Sequence, residues 1–212
     1  MRARSQRSPA RSLGGLLWVS SLFVLVDCAG AYRHPRMAEY RNTVRTVAVV
    51  PFAFQTGSAD TLMSRRIADV ARANAYEALR AAHADGRFTT VLQPIARTDS
   101  LLRNAGVSAS VLGRRRNAEL GRILGVDAIL RGTITAFFDP AAGERVAAAV
   151  FFAEGFGGMR GEVHCVYELV DARSDELIWF LTEETGSGLL GGGSGALNKV
   201  GRTMAAKYPF AR

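Results

Sequence analysis

The chain is short of the residues that carry most enzyme chemistry. Its 212 residues include 2 cysteines and 3 histidines, and none of the spacings HExxH, CxxC, GxSxG or a Walker loop occurs. His34, His83 and His164 stand far apart in sequence, so neither catalytic nor metal nor cofactor residues are assigned. The adjacent acids Asp175-Glu176 and Glu183-Glu184 cannot serve as catalytic pairs, because neighbours on a strand point to opposite faces. They are expected to be a solvated turn and a strand end. The letters GxGxxG begin at Gly186, but no second βαβ unit and no acidic residue about 20 positions on follow them. The chain is therefore expected not to be an enzyme.

Aromatics are also sparse, at 8%. No Lys/Arg stripe with interleaved aromatics is present, which argues against nucleic acid. An apolar run long enough to span a bilayer is lacking too, since about 20 helical residues are required. The longest stretch, residues 13–26, is shorter and follows Arg2, Arg4, Arg7 and Arg11, so residues 1–27 read as a secretory signal peptide. No adjacent arginine pair precedes it, which favours the general export route. Two processing sites compete. Leu25-Val26-Asp27-Cys28 is similar to the bacterial lipoprotein box, with Cys28 as the lipidated first mature residue and Asp27 standing where a small residue is usual. Ala29-Gly30-Ala31 offers ordinary cleavage and a soluble periplasmic product. Under either reading no disulfide forms, and Cys165 is expected to be a small buried core residue. Removing the four arginines and one aspartate of residues 1–27 from the 27 basic and 19 acidic groups leaves a net charge of +5, which suits a soluble domain with mild attraction to anionic lipid.

What remains is patterned as one α/β domain. Residues 28–43 are polar, broken by Pro35, and read as a lipid-anchored tether or an edge extension of the fold, with His34 solvated. Residues 44–212 are the domain. Val47 to Val50 is continuously apolar, as in a central strand, and Pro51 ends its regular pairing. From Met63 an apolar stripe of Ile67, Val70, Ala71, Ala75, Ala78, Leu79 and Ala82 predicts a covering helix, with Arg65, Arg66, Asp69, Arg72 and Glu77 facing water. His83 falls in its polar last turn. A second strand is expected over residues 87–95, closed by Pro94, then a short helix over 98–104 and an irregular stretch to Arg116. Asn117 is placed to cap a helix carrying Leu120, Ile123 and Leu124, Gly125 to end it in a left-handed conformation, and Ala128, Ile129 and Leu130 to form a strand buried on both faces. This succession predicts a mixed sheet with a parallel βαβ part and helices packed upon it.

After Asp139-Pro140 the pattern changes. Residues 146–152 are apolar and are followed by a glycine-rich stretch. Residues 161–185 read as an antiparallel hairpin turning at 171–176, with Val163, Cys165, Tyr167 and Leu169 on its packed face and His164 on the other, solvated rather than ligating. A final helix from about Ala196 presents Leu197, Val200 and Met204 and stops at Pro209. Arg114, Arg115 and Arg116 are candidates for contact with an anion or lipid headgroups, and Phe151 and Phe152 for contact with a partner.

The order of these elements resembles the curli-secretion channel lipoprotein family (CsgG-like) and its small relatives, whose fold is similar to the TolB N-terminal domain. The resemblance covers roughly residues 44–184 and rests on VAVVPF, on the junction residues Leu120, Gly121, Leu124, Gly125 and Asp127, and on Asp171, Ser174, Glu176 and Trp179 in the hairpin. Asp175 stands where that pattern usually has glycine. The resemblance implies a non-enzymatic lipoprotein on the periplasmic face of the outer membrane, binding or assembling within an envelope system with a protein partner or copies of itself. A secretion-channel subunit and a periplasmic enzyme are the alternatives. Residues 137–161 and 183–195 lack the alternating strands of about 9 to 11 residues that a barrel wall needs, so no membrane-spanning pore is expected.

Overall fold

The computed structural model describes residues 31–55, 61–138, 162–186 and 193–211. Cys28, Phe151, Phe152 and the apolar run 146–152 lie outside them. The elements follow in the order β1 (Ala31–Arg33), α1 (Met37–Thr43), β2 (Thr46–Val49), β3 (Ala53–Phe54), α2 (Thr61–Ala84), β4 (Val91–Leu92), α3 (Ile95–Asn104), α4 (Ala109–Leu112), α5 (Asn117–Leu124), β5 (Ala128–Phe138), β6 (Glu162–Asp171), β7 (Leu177–Gly186) and α6 (Gly193–Ala206). One mixed sheet runs β1-β7-β6-β5-β2-β4, with β3 also paired to β5. The strands β4, β2 and β5 are parallel, while β5-β6, β6-β7 and β1-β7 are antiparallel. The α/β reading with a parallel first part and a terminal hairpin is what the structure shows.

Pro51 splits the first predicted strand in two. It has no N–H to give the ladder, so β2 pairs with residues 128–130 of β5 and the chain resumes as β3 against Thr133 and Ile134. Gly132 makes room for the Phe52 ring between the two segments: a Cβ there would lie 2.6 Å from three ring carbons. The second predicted strand is only the pair Val91–Leu92, and α3 starts directly after Pro94, three residues before the predicted helix. The stretch before Arg116 contains α4, and α6 begins at Gly193 rather than Ala196. Residues 31–43 lie on the domain as a strand and a helix, the edge extension of the two forms considered above. There β1 pairs with β7, and Tyr40 of α1 is buried.

Two apolar cores flank the sheet. The larger joins α1, α2 and α6 to the inward residues Val47, Val49, Leu130, Ile134, Val163, Cys165, Tyr167, Leu169, Trp179 and Leu181. At Gly201 the helices α6 and α2 approach so closely that a Cβ would lie 3.1 Å from the Asn74 backbone. Tyr208 packs between Phe88, tilted at a ring distance of 5.0 Å, and Phe210, edge-on at 5.5 Å. The smaller core places Ala48, Val50 and Ile129 under Leu102, Leu112, Leu120 and Leu124 of α3, α4 and α5. Ala128, Ile129 and Leu130 are fully buried because β5 passes between both cores.

On α2 two residues depart from the predicted stripe. Val70 is 44% exposed, whereas Arg72 is 5% exposed. Arg72 follows Ser64 and Ala68 at i+4 spacing, so it lies on the packed side of the helix, and both Ser64 and Ala68 are buried. Its Nε and Nη2 donate to the Val49 carbonyl at 3.1 and 2.8 Å, and Nη1 lies 2.8 Å from Asp99. A guanidinium so placed ties α2 to the end of β2 and to α3.

The register also gives the sheet two unlike ends. Phe138, Glu162 and Gly186 are opposed at one end. Gln55 donates its N–H to Ile134 on that side, and β1, antiparallel to β7, has its first residue facing it. Phe138, Glu162 and Gly186, which border stretches outside the described residues, thus gather at this end, whereas Ala31 lies opposite Leu181, midway along β7. The other end carries the α5-β5 junction and the hairpin turn.

Candidate functional site

The residues behind the family resemblance converge at the turn end, and their work there is structural. Gly125 ends α5 at φ 66°, donating its N–H to Gly121. Gly121 is required by contact: a Cβ would lie 2.4 Å from the Ala172 Cβ and 2.7 Å from its carbonyl oxygen. Asp127 Oδ2 accepts from the N–H groups of Arg45 and Thr46 at 3.0 Å each and from the Thr46 hydroxyl at 2.9 Å. Its Oδ1 accepts from Arg173 at 2.9 Å. Burial alone would raise the Asp127 pKa, but these donors outweigh it and hold the carboxyl below its usual value.

The hairpin turn is equally engaged, which corrects the solvated reading. Asp171 Oδ1 accepts from the N–H groups of Arg173 and Ser174 at 2.8 and 2.7 Å. Asp175 sits at φ 62°, in the left-handed region that aspartate tolerates better than most side chains. From there its Oδ1 accepts from the Ala118 N–H at 3.0 Å, capping α5 across the fold. Asn117 does not cap the helix; Arg116 occupies the N-cap position, and Asn117 Oδ1 is buried without a hydrogen-bond partner among the described residues. Glu176 points the other way, accepting from Arg36 and from the Tyr40 hydroxyl. Burial, followed by this bond, pushes the Tyr40 hydroxyl up to about 12.

Of the arginine triplet, two members are already paired. Arg115 lies 2.6 Å from Glu119 and Arg116 3.4 Å from Asp175, while Arg114 is exposed and ion-pairs with no carboxylate among the described residues. Arg131 donates to the Arg115 carbonyl at 3.4 Å, and desolvation lowers its pKa. Cys165 is buried beside Tyr167, and desolvation raises its thiol to about 12. It is protonated at neutral pH and poorly suited to nucleophilic attack.

The three histidines stay apart. His34 Nδ1 accepts from the Arg36 N–H at 3.1 Å and its ring stands edge-on to Tyr40; His83 Nδ1 donates to the Phe88 carbonyl at 3.2 Å. His164 is not merely solvated. Its Nε2 lies 3.0 Å from Glu162 and 3.6 Å from Glu184. Both carboxylates belong to the face of the β6-β7 pair opposite α2 and α6, which also carries Val166 and Phe180, half-buried, and the exposed Tyr32 and Thr182. Glu183, one residue away, points inward to Lys207 at 2.5 Å.

No protein-family model matches the sequence, and no curated protein matches it. Solved structures do. Lipoprotein GNA1162 from Neisseria meningitidis is similar with a TM-score of 0.50 at 16% identity, over 76% of this chain and 96% of that one. The PelC dodecamer from Paraburkholderia phytofirmans gives 0.45 at 20% identity, over 86% and 96%. The LpoB C-terminal domain from Escherichia coli gives 0.40 at 14% identity, over 72% and 94%. At these identities the likeness is one of fold.

Proposed function

We propose that this chain is a non-enzymatic lipoprotein of the bacterial cell envelope, held on the periplasmic face of the outer membrane through Cys28 and acting by binding a protein partner or further copies of itself. One observation carries the reading: the acidic residues at the turn end are spent on the chain's own backbone, arginine and tyrosine donors, while the far face of the antiparallel half is left for contact. Asp127, Asp171, Asp175 and Glu176 each accept bonds from the chain's own donors, and the one described cysteine is an inert buried thiol. Tyr32, Val166, Phe180 and Thr182 offer a mixed apolar and polar surface of the kind that recognition uses. The fold shared with a Neisseria lipoprotein fits this role, as does the apolar segment ending at Cys28.

Metabolic labelling with a fatty-acid probe tests the anchor. Label is expected on the wild type and absent from Cys28→Ala; unlabelled protein beginning at Tyr32 would refute it. Crosslinking in the native envelope, with photoreactive residues placed at Tyr32 and Thr182, tests the surface. A discrete adduct is expected from these positions and not from the exposed Arg80 of α2. Planar bilayers should show no channel steps with the purified protein. Discrete conductance would instead favour the secretion-channel reading.

A further inference from the structure

We propose that Glu162, His164 and Glu184 form a binding site for a first-row divalent metal ion, with Zn²⁺ as its representative. The three side chains are brought together by sheet geometry alone. His164 and Glu184 are directly opposed across the antiparallel β6-β7 ladder, and Glu162 lies two residues from His164, on the same face. Their ligand atoms all fall within 4.8 Å of one another.

The spacing suits a small metal ion. Ligands at about 2.0–2.2 Å from zinc in a tetrahedron stand about 3.3–3.6 Å apart. His164 Nε2 is 3.0 Å from Glu162 Oε1 and 3.6 Å from Glu184 Oε1, so two edges are near this range. The remaining edge closes by rotation of Glu184, whose side chain is 63% exposed. Three protein ligands on an open face leave further positions for water or for a ligand from another molecule.

Charge points the same way. Two carboxylates share one imidazole, and neither has a lysine or arginine partner among the described residues, although the chain as a whole is basic. A divalent cation balances this pair of charges. The imidazole sets the preference, since a nitrogen ligand favours zinc and its neighbours over magnesium or calcium.

The test is titration of Zn²⁺ into the metal-stripped full chain in detergent micelles, followed by calorimetry, with Co²⁺ absorption and the His164 ring NMR signals as reports of coordination. One equivalent is expected to bind saturably, to persist in Cys28→Ser, to survive excess Mg²⁺, and to weaken about tenfold or more in His164→Ala and in Glu162→Gln. The substituted side chains are outward-facing, so thermal unfolding of the apo variants should match the wild type and exclude misfolding as the cause. Affinity no tighter than about 1 mM, displacement by Mg²⁺ at equal concentration, or binding unchanged in His164→Ala would overturn the assignment.

Discussion

Replacing Arg72 with methionine is expected to destabilise the fold by about 2–4 kcal/mol. The magnitude follows from the geometry of the guanidinium. Two N–H groups of the guanidinium donate to one acceptor, the Val49 carbonyl, and hydrogen bonds from a charged donor contribute roughly 1.5–3 kcal/mol. Because the acceptor is shared, the two count as little more than one. The contact with Asp99 adds less, roughly 0.5–1 kcal/mol, since that carboxylate is 39% exposed and is screened by water. Its Oδ1 also lacks an aligned hydrogen bond. Methionine keeps much of the packed volume and leaves no orphaned cation, so the loss is that of the clamp itself. Arg72→Lys retains one charge but not the fork, and should lose about half as much. Asp99→Asn should cost under about 1 kcal/mol. Urea unfolding at fixed pH reads all three through the midpoint, provided the m-value is unchanged. Buried ions can be replaced by apolar side chains without loss, so a methionine variant within about 0.5 kcal/mol of wild type would refute the clamp.

Further perturbations probe the other end and the sheet. Gly121→Ala should cost at least about 1–3 kcal/mol through overlap with Ala172, and a neutral outcome in thermal unfolding would show that α5 and the hairpin can separate freely. Ile129→Ala, at the fully buried centre of β5, should cost about 2–5 kcal/mol; a loss under about 1 kcal/mol would mean the strand is not central. At position 175, asparagine should be close to neutral, since it keeps both the cap and tolerance of positive φ. Alanine should cost about 2 kcal/mol by losing both, and an alanine variant as stable as asparagine would contradict the cap. The lowered Asp127 pKa stabilises the fold above the unfolded value of about 3.9, and this contribution is lost as pH falls through the lower folded value. Urea midpoints should therefore drop less steeply below about pH 4 in Asp127→Asn, and parallel curves would disprove the linkage.

The readable parts of the sequence were those fixed by local rules. Gly125 announced the end of α5, and the run Ala128 to Leu130 announced a strand covered on both faces, because a left-handed cap and continuous burial each leave a short-range mark. Arg72 is hidden by its charge, because a guanidinium on an amphipathic helix reads as facing water. Its i+4 spacing from Ala68 was the available signal. The Glu162-His164-Glu184 cluster escaped for another reason. A register shift falls between Leu169 and Val170, and counting back from the turn without it would oppose His164 to Glu183, which faces the core. Only the bulge brings Glu184 opposite the histidine. Asp175 shows in the sequence only as a residue at a glycine position of a turn, since nothing local reveals that its carboxylate caps a helix far back in the chain.

The place of β1 at the edge of the sheet sets how the domain would sit on a lipid surface. With Cys28 as the lipidated residue, only three peptide steps separate the anchor from Ala31 in β1, a leash of about 10 Å at full stretch. That is little more than a layer of headgroups, about 5–8 Å deep. Ala31 pairs with Leu181, about 17 Å short of Gly186 along β7, and under that leash the domain would lie with its β1 edge, not the Glu162–Gly186 end, against the lipid. It would find partners by sliding in the plane, a two-dimensional search that a longer linker would turn into a three-dimensional one.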